Sequence, residues 1–327
     1  MRAATGFQYE LRAATPSGPA LAIVTEVAAG LRLYSVDGID LVEPFAAEAT
    51  PPWGAGIVLM PWPNRIRDGL WQHQGVAQRL PLTEPEQHNA IHGLLRYSSY
   101  RMLDRSPRAV TLAATVFPQA GYPFLLDTTV RYALTDDGLA VTHTVRNVGP
   151  DAAPVAIGAH PYPKIGGVPT EDLVLTIAAR THVDVDDRQN PVGESSVVST
   201  RFDLRAGCRV GDVDLDDGFG GVGPEAPEVR SDVTGEESGT PSVASLTAPD
   251  GRSVTIWGDR NIRNVQVFTP RNFPFPGPGG PFLGLAVAIE PMTAPANAFN
   301  SGAGLRWVEP GESWSVRWGI RHQGFRL

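Results

Sequence analysis

Four short segments of the 327-residue chain combine ionisable side chains with prolines, glycines or apolar runs. In the last of them, Glu290 follows consecutive apolar residues, a pattern that predicts a strand buried on both faces. A buried carboxylate costs free energy unless it is hydrogen-bonded, and poor pairing raises its pKa. General bases are commonly made in this way, and the simpler alternative is a Glu exposed beyond the strand end. The segments span residues 60–69, 89–94, 155–163 and 283–292.

Two of these segments contain histidines at the ends of apolar stretches. His160 ends an apolar strand and precedes Pro161, which biases the His160 backbone toward an extended conformation and helps to fix the imidazole direction. His92 lies where a strand and a turn meet, and a lone histidine of this kind is more often structural. The local pattern therefore predicts a fixed orientation for His160 and leaves the role of His92 open.

An arginine stands in the most rigid of the four segments. Arg65 follows Asn64, and Pro61 and Pro63 stiffen the backbone around Trp62. The guanidinium offers a planar fork of donors that suits hydroxyl or carboxylate oxygens. The alternative is an arginine in a turn with its head group in water.

Charge and composition exclude several classes of partner. The chain has 27 Lys+Arg against 35 Asp+Glu and a formal net charge of −8, which argues against nucleic acid or anionic lipid as its partner. Cys208 is the single cysteine, so neither an internal disulfide nor a thiolate metal cluster is expected. The uncharged stretch 272–289 contains four prolines and four glycines, which a spanning helix does not tolerate. We therefore expect a cytoplasmic protein without a membrane or nucleic-acid partner.

Other familiar chemistries are weakly represented. The sequence lacks the glycine-rich phosphate-binding motifs and the nucleophile elbow of hydrolases. His88 and His92 are four residues apart, which on a helix could hold zinc, but Gly93 and the flanking residues favour a turn. A metal role for this pair is therefore the minor interpretation.

The elements that position these residues are predicted to be strands. Glycine and proline make up about a fifth of the chain, and apolar and polar residues alternate with period two. This pattern predicts an all-β fold, a large antiparallel β-sandwich in one domain spanning residues 1–327, with a flexible loop around 218–242. The expected strands include residues 20–27, 31–36, 39–42, 128–134, 139–145, 173–178, 253–257, 265–269, 283–289 and 313–320.

Taken together, the segments resemble the aldose 1-epimerase (galactose mutarotase) family, from about the first strands to the last. A further piece around Asp216 resembles the family's aspartate-containing loop, and Asp216 is chosen over Asp217 by its spacing to Phe219. The run from Glu290 to Thr293 is typical of a bacterial side branch whose sugar need not be galactose. The matching pieces are Asn64-Arg65-Ile66, Ile91-His92-Gly93, His160-Pro161-Tyr162 and Glu290-Pro291, in the family's order.

The resemblance implies a supersandwich fold and a cofactor-free, metal-free interconversion of the α and β anomers of an aldose, here a hexose. Glu290 would take the proton of the anomeric hydroxyl while His160 protonates the ring oxygen, and the two groups would exchange roles when the ring recloses. The resemblance also implies residues that would bind the sugar, with Trp62 as a further stacking candidate. These are Asn64, Arg65, His92, Asp216 and Trp257.

Three alternatives to the mutarotase remain open on the sequence alone. The first is a non-catalytic sugar-binding protein of the same fold. The second is an oxygenase that binds iron through His92, His160 and Glu290. The third is a glycosidase that pairs Glu290 with Asp216, which would leave His160 unexplained.

Overall fold

The computed structural model describes residues 2–222, 242–277 and 280–325, and nearly all of its regular structure is antiparallel β. In chain order the strands begin with Gln8–Thr15 (β1), Gly18–Thr25 (β2), Leu31–Val36 (β3), Ile39–Asp40 (β4), Val58–Leu59 (β5), Arg65–Arg67 (β6), Leu70–His73 (β7), Val76–Arg79 (β8), Asn89–Ile91 (β9), Arg101–Arg105 (β10), Ala109–Val116 (β11), Leu126–Leu134 (β12), Gly138–Asn147 (β13) and Ala153–Val155 (β14). They continue with Gly158–Ala159 (β15), Val174–Ile177 (β16), Thr181–Val185 (β17), Pro191–Ser196 (β18), Cys208–Arg209 (β19), Asp216–Gly220 (β20), Ser242–Thr247 (β21), Ser253–Gly258 (β22), Asn264–Phe268 (β23), Phe273–Phe275 (β24), Phe282–Gly284 (β25), Ala288–Met292 (β26), Arg306–Val308 (β27) and Ser313–Gln323 (β28).

Helical structure in the described residues is confined to single turns. One short α-helix spans Ala298–Ser301 (α1), and 3₁₀ turns span Pro52–Gly54, Thr170–Asp172 and Val210–Asp212. None of these helices is long or apolar enough to span a membrane.

The largest sheet has nine strands in the order β10-β11-β12-β13-β28-β22-β21-β16-β19. Within it, β12 and β13 pair from Leu126 opposite Asn147 to Leu134 opposite Leu139. Buried residues alternate with exposed ones along β12, as the period-two pattern predicts for a sheet with one face on the core. A separate four-stranded sheet, β1-β2-β3-β4, holds the chain's first hairpins.

The second large sheet has seven strands in the order β18-β17-β20-β23-β26-β15-β5. One of its faces is apolar: Val265, Val267 and Ile289 join the same hydrophobic cluster as Val254 and Ile256 of the nine-stranded sheet. Because side chains alternate along a strand, the residues between them point to the other face of the sheet. The second face is the one that bears the polar candidates.

The predicted all-β antiparallel sandwich is confirmed, and most predicted strands lie within one or two residues of their observed bounds. The predicted strand 283–289 is wrong, since two strands occupy this region, β25 and β26, with residues 285–287 between them. The break moves Glu290 from the expected strand end to the middle of β26. The single-domain organisation stays a prediction.

The predicted loop 218–242 needs a correction at both ends. Residues 218–220 complete strand β20 and Ser242 begins β21, because both segments pair with neighbouring strands. Residues 223–241 of the predicted loop lie outside the described residues.

Candidate active site

His160 and Glu290, which are 130 positions apart in the chain, face each other at the centre of the second face. His160 follows the short strand β15, and Glu290 is the middle residue of the adjacent strand β26. The distance from His160 Nε2 to Glu290 Oε1 is 3.4 Å, and only 5% and 3% of the two side chains are exposed. The structure therefore brings together the predicted acid and base.

Burial controls the charge of this pair. Desolvation raises the pKa of Glu290 well above its ordinary value, and the nearby charge of Asp216 raises it further. Desolvation also lowers the pKa of His160 to about 4. Among the described residues, Glu290 Oε2 and His160 Nδ1 have no hydrogen-bond partner. Burial thus favours the uncharged form of both groups, and one carboxyl oxygen has no partner among the described residues.

His92 lies beside His160, with ring centroids 5.2 Å apart and planes at 76°. The backbone N–H of Asn64 donates to His92 Nδ1 at 3.2 Å, so the neutral ring carries its proton on Nε2. Burial, followed by the charges of His160 and Arg65, lowers the pKa of His92 well below its ordinary value. His92 is therefore a neutral N–H donor at this site.

The turn that presents His92 depends on left-handed backbone conformations. Asn64 has φ 55° and His92 has φ 62°, and the His92 N–H donates to the Asn64 carbonyl at 2.9 Å. Gly93 has φ 74°, and a Cβ on it would lie 2.2 Å from the Met60 carbonyl oxygen. Only glycine fits this position, so steric crowding explains the glycine of the Ile91-His92-Gly93 motif.

Arg65 is held by two carboxylates at the edge of the same cleft. Its Nε and an Nη donate to the carboxylate of Glu84 at 2.9–3.2 Å, and one Nη donates to Asp216 Oδ2 at 3.2 Å. The side chain of Arg65 is 10% exposed. A bidentate contact of this kind fixes the plane of the guanidinium as well as its position.

The register of the sheet adds a residue that the sequence analysis missed. Gln266 stands directly opposite Glu290 in the pairing of β23 with β26, and its Nε2–H donates to Asp216 Oδ1 at 2.8 Å. Asp216 therefore bridges Gln266 and Arg65. Asp217 instead accepts from His182 Nε2 at 2.7 Å, so Asp216 is the aspartate in this network.

The predicted tryptophan ligands do not lie with the other candidates. Trp257 belongs to β22 in the nine-stranded sheet, where it is buried under the Arg321 guanidinium. Trp62 is buried against Phe299. A different residue, Trp53, is 48% exposed and precedes Gly54, where a Cβ would lie 3.6 Å from the His160 ring. Trp53 is therefore an exposed tryptophan whose neighbour in the chain, Gly54, lies beside the candidate site.

Some of the missed residues had a signal in the sequence. A glutamine between valines, as in Val265-Gln266-Val267, breaks an apolar run in the same way as Glu290. Trp53 has φ 50°, which is unusual for a bulky residue, and it is flanked by two prolines and a glycine. Glu84 had no such signal, because its contact with Arg65 depends on the pairing of distant segments.

Three residues could together hold a metal ion. One possible ligand atom each from His92, His160 and Glu290 lies within 4.8 Å of the others. The Nδ1 of His92 is already occupied by the Asn64 N–H, which leaves Nε2 protonated. A metal at this position would have to displace that proton, so the hydrogen bonding fits a proton-transfer site better than a metal site.

The sequence and the fold match known proteins over most of their length. The family model described as aldose 1-epimerase matches residues 29–321. The uncharacterized protein YihR of Escherichia coli strain K12 is 30% identical over 293 residues, which cover 89% of this chain and 86% of that protein.

Solved structures share the fold at low sequence identity. An aldose epimerase homologue from Caenorhabditis elegans has a TM-score of 0.78 at 19% identity, with 97% of this chain and 100% of that chain covered. A galactose 1-epimerase from Lactobacillus acidophilus has a TM-score of 0.71 at 20% identity, with 97% and 95% covered. With the family model spanning nearly the whole chain, the protein belongs to the aldose 1-epimerase family.

Proposed function

We propose that the protein interconverts the α and β anomers of a hexose by acid/base catalysis at Glu290 and His160. The observation that carries the proposal is the contact between two buried side chains, with Nε2 3.4 Å from Oε1. A carboxyl and an imidazole at this distance can each reach one of the two oxygens on an anomeric carbon. Family membership supports the reaction class.

The reaction needs one proton on the pair in each direction. Burial favours the uncharged form of the pair, a carboxylic acid beside a neutral imidazole. Moving that proton to His160 Nε2 creates the reactive form without any exchange with solvent. Glu290 then takes the proton of the C1 hydroxyl while His160 protonates the ring oxygen, and the C1–O5 bond breaks.

Ring closure reverses these transfers after the aldehyde rotates about C1–C2. The ring-oxygen hydroxyl attacks C1 and returns its proton to His160, and Glu290 protonates the carbonyl oxygen. The neutral His92 Nε2–H can donate to that oxygen while the aldehyde is open. The pair finishes with the same proton count as it had at the start, so no cofactor has to be regenerated.

The remaining polar groups would hold the hydroxyls of the sugar. Arg65 offers the N–H groups of its guanidinium that do not contact Glu84 or Asp216. Asp216 and Gln266 are linked by a hydrogen bond of 2.8 Å. Asn64 orients both neighbours, because its side chain accepts from the Arg65 N–H and its own N–H bonds to His92. Fixed donors and acceptors of this kind favour one orientation of the ring.

Exchange NMR on a panel of aldoses tests the proposal, because it reports the interchange of anomers directly. We expect the protein to accelerate interchange for at least one hexose at neutral pH. Binding of sugars without any acceleration would favour the non-catalytic alternative. Release of free sugar from a glycoside would favour a glycosidase, and activity that requires stoichiometric iron would favour the oxygenase.

A further inference from the structure

An amide oxygen near the candidate site is buried without a partner. Among the described residues, no group donates a hydrogen bond to Gln189 Oε1. Leaving a buried acceptor unpaired is unfavourable, so each such atom needs an explanation. The neighbouring amides of Asn89 and Asn190 also have unpaired oxygens, but only Gln189 lines the cavity beside Arg65.

The segment that carries Gln189 is firmly held. It is the tip of the hairpin between β17 and β18, and the Arg188 guanidinium donates to Asp68 Oδ1 at 2.7 Å. On the other side of the tip, Asp186 accepts from the Arg67 guanidinium at 2.8 Å. Gln189 itself has φ 60°, a backbone conformation that residues other than glycine and asparagine seldom adopt. The ion pairs on either side of Gln189 thus hold its backbone in an unfavourable conformation and fix the position of its side-chain amide.

The cavity that Gln189 lines has the size of a hydroxyl group. Its volume is about 10 Å³, close to that of one water-sized sphere. Neither His160 nor Glu290 lines it, so it lies away from the anomeric position. Its polar lining consists of Asn64, Arg65, Gln189, Asn264 and Gln266.

We propose that Gln189 is a specificity-determining residue, whose Oε1 accepts a hydrogen bond from one aldose hydroxyl remote from C1. The inference rests on the proposed function, because Glu290 and His160 define where C1 lies. A hydroxyl fits both the volume and the chemistry, since it donates to Gln189 and accepts from an N–H of the lining. The substrate class is then a hexose that carries this hydroxyl, and the matching deoxy sugar is a poor substrate.

A panel of monodeoxy sugars, with the hydroxyl removed in turn at C2, C3, C4 and C6, tests this inference. For the wild type we expect kcat/KM to fall about tenfold for one member of the panel through the loss of the bond to Gln189. For Gln189→Leu, kcat/KM on the parent hexose should be about tenfold lower than for the wild type. It should not fall further on the deoxy sugar that lacks the recognised hydroxyl. Gln189→Glu keeps an acceptor and should still discriminate against it.

Two outcomes would overturn the inference. One is that Gln189→Leu lowers kcat/KM by the same factor for every sugar, as expected if Oε1 binds only a structural water. The other is that Gln189→Leu has no effect. Val185→Ala is a matched control, since Val185 lines the same cavity without a polar group and should not alter the discrimination.

Two further measurements keep the inference separate from the proposed function. If Gln189→Leu fails to fold, Gln189→Asn tolerates the left-handed backbone and still withdraws the acceptor by one methylene. Calorimetric affinities of the same panel for Glu290→Gln test Gln189 without any catalysis. A sugar-binding protein with no rate effect would therefore contradict the proposed function and still report whether Gln189 recognises one hydroxyl.

Discussion

Two buried histidines, His143 in the nine-stranded sheet and His160 in the seven-stranded sheet, have similar electrostatics and different surroundings. Burial lowers the pKa of His143 to about 3 and that of His160 to about 4. The Trp318 indole N–H donates to His143 Nε2 at 2.8 Å, and β13 packs this ring into the core. Nε2 of His160 instead faces a carboxyl group.

The comparison shows that a depressed histidine pKa does not by itself mark a functional site. At His143 the hydrogen bond with Trp318 links two strands of one sheet, which is a structural role. At His160 the carboxyl group of Glu290 has a raised pKa, and its second oxygen is left without a partner among the described residues. What distinguishes the candidate site is therefore a pair of groups whose pKa values shift in opposite directions, together with a carboxyl oxygen that has no partner among the described residues.

Exchanging the two histidines for asparagine gives the largest expected contrast. His160→Asn should lower kcat by about 10²–10⁴-fold, because general acid catalysis is lost. His143→Asn should lower the free energy of unfolding by about 1–3 kcal/mol, because it disturbs a buried hydrogen bond, and should leave the activity of the folded fraction unchanged. Exchange NMR and thermal melts of both variants provide the measurements. Equal losses of kcat in the two variants would remove the distinction.

Arg65 extends the contrast to the groups proposed to hold the sugar. Glu84→Gln should raise KM by about tenfold, because the bidentate contact that orients Arg65 loses its charge. Initial rates at several sugar concentrations separate KM from kcat. Asp136→Asn, which removes an exposed ion pair with Arg108, is the matched control and should leave both constants unchanged. A KM for Glu84→Gln equal to that of the wild type would show that Asp216 alone positions Arg65.

The pH dependence sharpens the comparison, because it reports the number of protons on the proposed catalytic pair, Glu290 and His160. Below about pH 4 the imidazole of His160 gains a proton while Glu290 is still protonated, so activity should fall about tenfold per pH unit. Above the raised pKa of Glu290 the pair has no proton left, and activity should fall again. A profile of kcat/KM over pH checks both limbs. An acid limb at the ordinary histidine pKa would contradict the desolvated pair.

Trp53 should give the smallest of these effects. Its ring is 48% exposed and packs edge-on against Phe268 with centroids 5.6 Å apart, and the next residue, Gly54, lies beside the His160 ring. Trp53→Ala should raise KM about threefold through the loss of stacking on the sugar. Trp257→Phe, in the other sheet, should change thermal stability and leave KM alone. A raised KM for Trp257→Phe with an unchanged KM for Trp53→Ala would instead support Trp257, the tryptophan predicted from the sequence.

Local patterns predicted the strands well, because the alternation of apolar and polar residues is a property of each segment on its own. The alternation along 128–134 located strand β12 to within two residues without knowledge of its partners. The run 283–289 failed because consecutive apolar residues do not reveal where a strand breaks. The two strands there pair with different partners, β24 for β25 and β23 for β26.

The catalytic candidates were found by chemistry and resemblance, whereas their supporting residues were not. Glu84 contacts Arg65 only because β6 pairs with β9 and Glu84 lies in the turn that precedes β9. Gln266 becomes part of the site through its register opposite Glu290. Such contacts depend on the pairing of strands distant in sequence, and single-segment patterns do not contain that information.

The rate of anomer interchange by Glu290→Gln tests the central claim most directly. Exchange NMR at neutral pH on the best hexose should show interchange at the uncatalysed rate, while thermal melts show a folded protein. Glu43→Gln is the matched control, since Glu43 is also buried with a pKa raised by burial but pairs with Lys164. It should retain wild-type rates in its folded fraction. Undiminished interchange by folded Glu290→Gln would contradict the account.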